Sequence, residues 1–239
     1  MTTNDATTNT QELTLYSAAV CPFAQRTRLV LAEKALPYSV QEIDLDNIPP
    51  WYRELSPTNK VPLLVRGKDR VWESTVINEY LEEVYPEPAL LPPDPGRRAF
   101  ARIWIDYANT QFLPWFYKLL LEQQPQRRAE LAERLRDSIG QIERDGLATY
   151  APGPYWLGAE VSLVDLAFYP FFERMPVLEH YRDFTLPADT PNLHRWLSTM
   201  AERPSVREAS GSSDFYIQRY RQYADATTDS DTAREMREI

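Results

Sequence analysis

The chain has 239 residues, 43% of them apolar, and a net charge of −9. That length suits one large or two modest domains, and the apolar share is ordinary for a globular protein. The acidic balance argues against a nucleic-acid footprint and against binding to anionic membranes.

Residues 1–11 are polar and rich in threonine, with no apolar core that would make them a secretory signal. They read as a disordered arm. No uninterrupted apolar run approaches the roughly 18 residues that a membrane helix needs. One unpaired cysteine suits a reducing compartment, so a cytoplasmic location is expected.

Glu12 to Tyr16 is short and alternating, the pattern of a strand. From Phe23 to Leu36 the apolar residues Val30 and Leu31 follow Phe23 at helical spacing. Tyr38 to Asp44 alternates again and reads as a second strand. Ile48 to Tyr52 is a loop entering a short helix. Val61 to Val65 is a third strand, Arg66 to Asp69 a turn, and Arg70 to Trp72 a fourth strand closing a hairpin. Glu73-Ser74 opens a helix carrying Val76, Ile77, Tyr80, Leu81 and Val84. This order predicts a small α/β sheet domain over residues 12–86.

Residues 87–96 hold four prolines in ten positions and read as a linker. Beyond it the periodicity is helical over 97–223. One long helix is expected from Arg97 to Glu122, bent at Pro114 if continuous. Others are expected over 127–146, over 161–178 with a break near Pro170, over 191–202 and over 214–223. Residues 224–239 read as a polar, frayed tail. No internal repeat is visible.

The chemistry centres on Ala19-Val20-Cys21-Pro22-Phe23-Ala24-Gln25-Arg26, which holds the only cysteine. Pro22 sits where a helix tolerates proline best, in its first turn, and this places Cys21 at the N-cap. Unpaired N–H groups and the helix dipole then point at its sulfur, an environment expected to lower the thiol pKa and yield a thiolate. Arg26 and Arg28 add positive potential. The plain alternative is a small buried apolar residue, the usual fate of a free cysteine. Ala24 stands where a dithiol motif has its second cysteine, so no internal disulfide forms.

Val61-Pro62 opens a strand, which means either an edge position or a cis bond. Ser74 reads as an N-cap, and helix N-termini bind carboxylates, although a cap needs no ligand. His180 and His194, the only histidines, form no metal signature and read as structural. Trp104, Tyr107, Phe112, Trp115, Phe116 and Tyr117 are mostly core, with a few positioned to meet an aromatic substrate.

Taken together, Cys21-Pro22-Phe23-Ala24, Val61-Pro62 and Glu73-Ser74 resemble the cytosolic glutathione transferases, in order and in spacing. The cysteine resembles that of the omega and lambda classes. Further matching stretches are Arg26-Thr27-Arg28-Leu29-Val30-Leu31, Pro50-Trp51, Glu79-Tyr80-Leu81, Trp156 to Asp165 and Tyr169 to Arg174. Within Trp156 to Asp165, Ser162 and Asp165 have capping-box spacing.

The resemblance implies a thioredoxin-like N-terminal domain, an all-α C-terminal domain and a homodimer. It implies glutathione as cosubstrate, no metal, and thiol transfer or reduction through Cys21. Disulfides, dehydroascorbate or glutathionyl ketones would be the second substrates. The Val61 backbone would pair with the cysteinyl unit of glutathione across a cis Pro62 bond. Glu73 and Ser74 would hold the γ-glutamyl end, and Phe23 would lie beside the thiol. The lysine that omega members use for the glycyl end is absent from Asp46-Asn47-Ile48, and Lys60 is the substitute. Trp115, Phe172 and Arg174 would line the second-substrate pocket, with a surface ion pair the other reading of Arg174. Two further possibilities share this fold. One is a ligand carrier without turnover. The other is a membrane-associating protein resembling the chloride intracellular channels, which Arg26, Arg28, Glu33 and Lys34 after the cysteine argue against.

Overall fold

The computed structural model describes residues 12–238; the arm expected at 1–11 lies outside them. Strand β1 (Leu13–Ser17) leads through α1 (Pro22–Glu33) to β2 (Tyr38–Glu42). After α2 (Pro50–Leu55) come β3 (Leu63–Arg66), β4 (Asp69–Trp72) and α3 (Ser74–Val84). The sheet order is β2-β1-β3-β4. β1 runs parallel to β2 and antiparallel to β3, and β3 and β4 form a hairpin. Gly67 turns that hairpin at φ 59, a conformation open to glycine without steric cost.

Alternation decides which face of the sheet is covered. Leu13 and Leu15 point inward and meet Leu29, Val30 and Leu31 of α1 and Ile77 and Leu81 of α3. On the other side, under α2, a smaller cluster joins Ala18, Ala24, Ile43, Ile48, Tyr52, Val61 and Leu63. This is the thioredoxin-like arrangement, and a helical domain follows it.

That domain opens with α4 (Pro95–Tyr107), for which Asp94 accepts the Arg97 N–H at 2.8 Å as N-cap. The expected single helix over 97–122 is instead α4, a π-helical turn at Ala108–Phe112 and α5 (Leu113–Leu121). Pro114 has no N–H to give and its ring crowds the carbonyl four residues back. The widened turn just before it takes up that misfit. α6 (Pro125–Gln141) ends in a second π-helical turn, Ile142–Leu147.

The expected break near Pro170 comes just after the proline rather than at it. Pro170 stays inside α7 (Leu163–Phe172), and the chain turns at Glu173-Arg174 before α8 (Met175–Arg182). α9 (Pro191–Ala201), α10 (Pro204–Ala209) and α11 (Ser213–Ala224) follow. The stretch read as a frayed polar tail contains a final helix, α12 (Asp231–Glu238). Its buried residues are only Ala233 and Met236, too faint an apolar pattern to read from the sequence.

Every residue of α7 is buried. It packs on α1 and on α4 and α9, so the sheet domain and the helical domain share one core. Aromatic rings fill the centre, where Trp156 stacks on Phe168 at 4.4 Å and Trp196 meets Trp156 edge-on at 5.8 Å.

A candidate active site at the start of the first helix

Cys21 is the N-cap of α1, with extended backbone at φ −75 and ψ 119, and Pro22 follows in the first turn. Its N–H bonds the Ala18 carbonyl at 2.9 Å, and its carbonyl accepts the Gln25 N–H at 3.0 Å. The half-buried sulfur is thereby presented at the tip of the β1–α1 loop, facing the Val61 carbonyl oxygen at 3.8 Å. The Val61-Pro62 peptide bond is cis.

Three arginines surround that loop. Arg28 donates to the Ser17 hydroxyl at 2.6 Å and to the Ala18 and Ala19 carbonyls at 3.2 and 3.3 Å. Arg174 is fully buried behind it and donates to the Val20 carbonyl at 2.9 Å and to Gln25 Oε1 at 2.6 Å. Gln25 in turn donates to Glu173 at 2.7 Å, and the Tyr216 hydroxyl reaches the same carboxylate oxygen at 2.9 Å. Arg26 donates to the Ala167 carbonyl at 2.8 Å and to Asn109 Oδ1 at 2.9 Å, with its guanidinium over the rings of Phe23 and Phe171. Burial pulls Arg26 down to about 9, which leaves it charged at neutral pH.

The thiol does not follow the expectation of a lowered pKa. Burial pushes Cys21 above its ordinary value. The N–H groups of Ala24 and Phe23, together with Arg174 and Arg28, pull the other way without overtaking it. A helix N-terminus and nearby cations favour the thiolate, but removal from water favours the neutral thiol more.

A cleft of about 350 Å³ opens at the sulfur. Phe23, Lys60, Val61, Pro62, Glu73 and Ser74 all line it with Cys21, although they come from three separate stretches of chain. Ser74 is the first residue of α3 rather than its cap. Glu73 holds the cap position at φ 65, a left-handed conformation costly for a residue with a side chain, and strain of this kind gathers at ligand clamps. The Ser74 hydroxyl is buried and accepts from Arg26 at 3.4 Å. Thr58 Oγ1 and Asn59 Oδ1 are buried in the cleft wall without hydrogen-bond partners, so the wall keeps unspent polar capacity for a ligand.

Trp115, Phe172 and Arg174 do not line this cleft. Trp115 lies under the Lys118 ammonium at 5.3 Å, Phe172 stacks on Phe112 at 4.9 Å in the core, and Arg174 is behind the cysteine loop. Their place on the helical side is taken by Tyr117, one of the aromatics of which a few were expected to meet a substrate, and by Asn109, Leu113 and Tyr220, which the sequence had not pointed to. Among the described residues no cluster of three or more His, Cys, Asp or Glu side chains is placed to hold a metal ion. Among the described residues, too, no helix is long and apolar enough to cross a membrane.

Two family models match the chain: the glutathione S-transferase N-terminal domain over residues 20–84 and the glutathione S-transferase C-terminal domain over residues 125–198. The chain is 31% identical over 212 residues to glutathione S-transferase omega-1 of Sus scrofa, covering 85% of this chain and 86% of that protein. The crystal structure of glutathione transferase Omega 3C from Trametes versicolor superposes with a TM-score of 0.80 at 30% identity, over 91% of this chain and 93% of that one. The crystal structure of Chlamydomonas reinhardtii dehydroascorbate reductase superposes with a TM-score of 0.74 at 26% identity, over 89% and 98%.

Proposed function

The chain belongs to the glutathione S-transferase family, and on that footing we propose that it is a glutathione-dependent thiol transferase and reductase working through Cys21. The observation that carries this reading is the half-buried sulfur at a helix start, 3.8 Å from the Val61 carbonyl, at the head of a cleft. A hydroxyl there would only polarise the glutathione thiol; a cysteine becomes a nucleophile itself.

In this reading the Cys21 thiolate attacks the glutathionyl sulfur of a mixed disulfide. The old S–S bond breaks, the substrate thiolate leaves and takes a proton, and a Cys21–glutathione disulfide forms. A second glutathione thiolate then attacks that disulfide, releasing oxidised glutathione and restoring Cys21. One free glutathione is consumed: its sulfur and the glutathionyl sulfur of the substrate leave together as oxidised glutathione, and the substrate sulfur leaves as the thiol. With dehydroascorbate two glutathione molecules supply the two electrons and two protons that reduce the substrate and leave together as oxidised glutathione, in line with the reductase that this fold resembles.

Glutathione supplies the reducing thiol, and the chain's residues hold and orient it. The Val61 backbone pairs with its cysteinyl unit, Glu73 and Ser74 take the γ-glutamyl end, Lys60 takes the glycyl carboxylate, and Phe23 walls the thiol. Leu113, Tyr117 and Tyr220 offer the apolar face for the second substrate. The N–H groups of Ala24 and Phe23 and the charges of Arg174 and Arg28 favour the thiolate and partly offset the burial that raises this thiol's pKa.

Transfer from a glutathione mixed disulfide, measured for the wild type beside Cys21→Ser, tests the reading. Loss of turnover with the mixed-disulfide mass adduct gone supports it, and retained turnover removes Cys21 from the chemistry. The same reading makes the protein a cytoplasmic homodimer. Trp72, Val76 and Ile103 are exposed at 39%, 54% and 63%, and they supply apolar surface for a partner subunit. A monomer at micromolar concentration in light scattering would remove that part.

A further inference from the structure

Helix α12 forms part of the cleft wall. Thr232, Glu235 and Met236 line it on the side of Lys60. Glu235 Oε1 stands 3.8 Å from Lys60 Nζ, with the two side chains 33% and 48% exposed. Asp231, one turn earlier, pairs with Arg53 of α2 at 3.2 Å, and Ala233 and Met236 are buried beneath. The helix is thus pinned by two ion pairs and two apolar contacts so that one carboxylate meets the one lysine in the cleft wall.

We propose that Glu235 is an intramolecular competitor for Lys60 and sets the selectivity of the cleft for the glycyl end of glutathione. The proposal rests on the reading of Lys60 as the partner of the glycyl carboxylate. A carboxylate on the ligand and the carboxylate of Glu235 then seek the same ammonium. A ligand bearing that group either displaces Glu235 or binds beside a like charge. Glu73, Asp231 and Glu238 add to the negative potential felt at Glu235, and Lys60 opposes it. A ligand whose glycyl end is neutral meets no such conflict. Glu235 therefore lowers the affinity for glutathione itself and spares analogues without the terminal carboxylate.

Calorimetric binding of S-methylglutathione, which cannot form a disulfide, and of its glycinamide counterpart tests this with the full chain. Glu235→Gln is expected to tighten S-methylglutathione about two- to fivefold, the range of a half-exposed ion pair, and to leave the glycinamide unchanged. Lys60→Gln is expected to weaken S-methylglutathione selectively and, in the double variant, to erase the gain from Glu235→Gln. Equal or weaker S-methylglutathione binding by Glu235→Gln overturns the competition while Lys60→Gln still separates the two ligands. If Lys60→Gln treats both ligands alike, the reading of Lys60 falls and the competition with it.

Discussion

Asp165 Oδ1 accepts the Trp196 indole N–H at 2.7 Å, joining α7 to α9 inside the helical domain. The same oxygen accepts the Trp156 backbone N–H at 2.8 Å. Its other oxygen takes the Ser162 N–H at 2.8 Å and the Ser162 hydroxyl at 2.7 Å. Ser162 and Asp165 form a capping box at the start of α7, and Asp165 is also the hub for two tryptophans. Ser162→Ala is expected to cost about 1 kcal/mol, a typical cap loss. Asp165→Ala strands several buried donors, each costing about 1–3 kcal/mol. Thermal unfolding should therefore rank wild type above Ser162→Ala and place Asp165→Ala far below both. Equal losses in the two variants would show that the tryptophan bonds contribute little.

A second prediction concerns the join between the sheet and the helical domain. Arg203 makes a bidentate contact to Glu33 at the end of α1, at 2.7 and 2.5 Å, and the Ser205 hydroxyl donates to the same carboxylate. The Arg203 guanidinium also covers the Tyr155 ring at 5.0 Å. Glu33 holds the Arg203 pKa above its ordinary range. The site is mostly buried and far from Cys21, so Arg203→Gln should lower stability by about 1.5–3 kcal/mol, the worth of a charged hydrogen bond. The rate of thiol transfer at 25 °C should stay within twofold. A melting temperature unchanged from wild type would count against the contact as a tether.

Glu73 offers a test of opposite sign. Replacement by glycine usually destabilises a protein by about 0.5–1 kcal/mol through the unfolded chain. At φ 65 the native backbone instead costs a residue with a side chain about 1–3 kcal/mol. Glu73→Gly should therefore leave the melting temperature unchanged or raise it, while glutathione binding weakens because the carboxylate is gone. A clear fall in melting temperature would show that the Glu73 backbone is not strained.

How far the site was legible follows from how local each signal is. Cys21-Pro22 is a helix start that can be read from two adjacent residues, and Val61-Pro62 and Glu73-Ser74 sit beside recognisable strands and helices. Tyr220 was not legible, because it reaches the cleft from a helix distant in sequence, and Tyr117 was legible only as one of six aromatics of which a few could face the cleft. Trp115 shows the limit well. It precedes Tyr117 by two positions, and two steps of about 100° put them on opposite sides of α5; only packing decides that Tyr117 faces the cleft. Arg174 was placed in the right neighbourhood on the wrong side of the loop. α12 carries so little apolar pattern that Glu235 could not be brought to Lys60 by any reading of periodicity. The thiol was misjudged for a different reason: the helix dipole is visible in sequence, and the desolvation that opposes it is not.

That opposition gives the last prediction. Burial holds the unliganded Cys21 thiol above its ordinary pKa. Alkylation by iodoacetamide should then be slower per thiol than for free cysteine near neutrality, and it should keep rising with pH beyond the point where free cysteine, near 8.5, levels off. The same displacement enters stability. The folded state keeps its thiol proton to higher pH than the unfolded chain does. Between the two pKa values the unfolded chain therefore binds fewer protons, and stability falls as pH rises. The contribution of this group is complete below about pH 8.5 and is lost as pH climbs through the folded value. Cys21→Ser has no thiol to titrate, so it should remove this component of the alkaline decline while the components due to tyrosines and lysines remain. Chemical denaturation of both proteins from pH 7 to 10 measures the difference directly. A decline of identical slope in wild type and Cys21→Ser, or a thiol that reacts with a midpoint below that of free cysteine, would mean that the N–H groups of Ala24 and Phe23 and the charges of Arg174 and Arg28 outweigh desolvation at this sulfur.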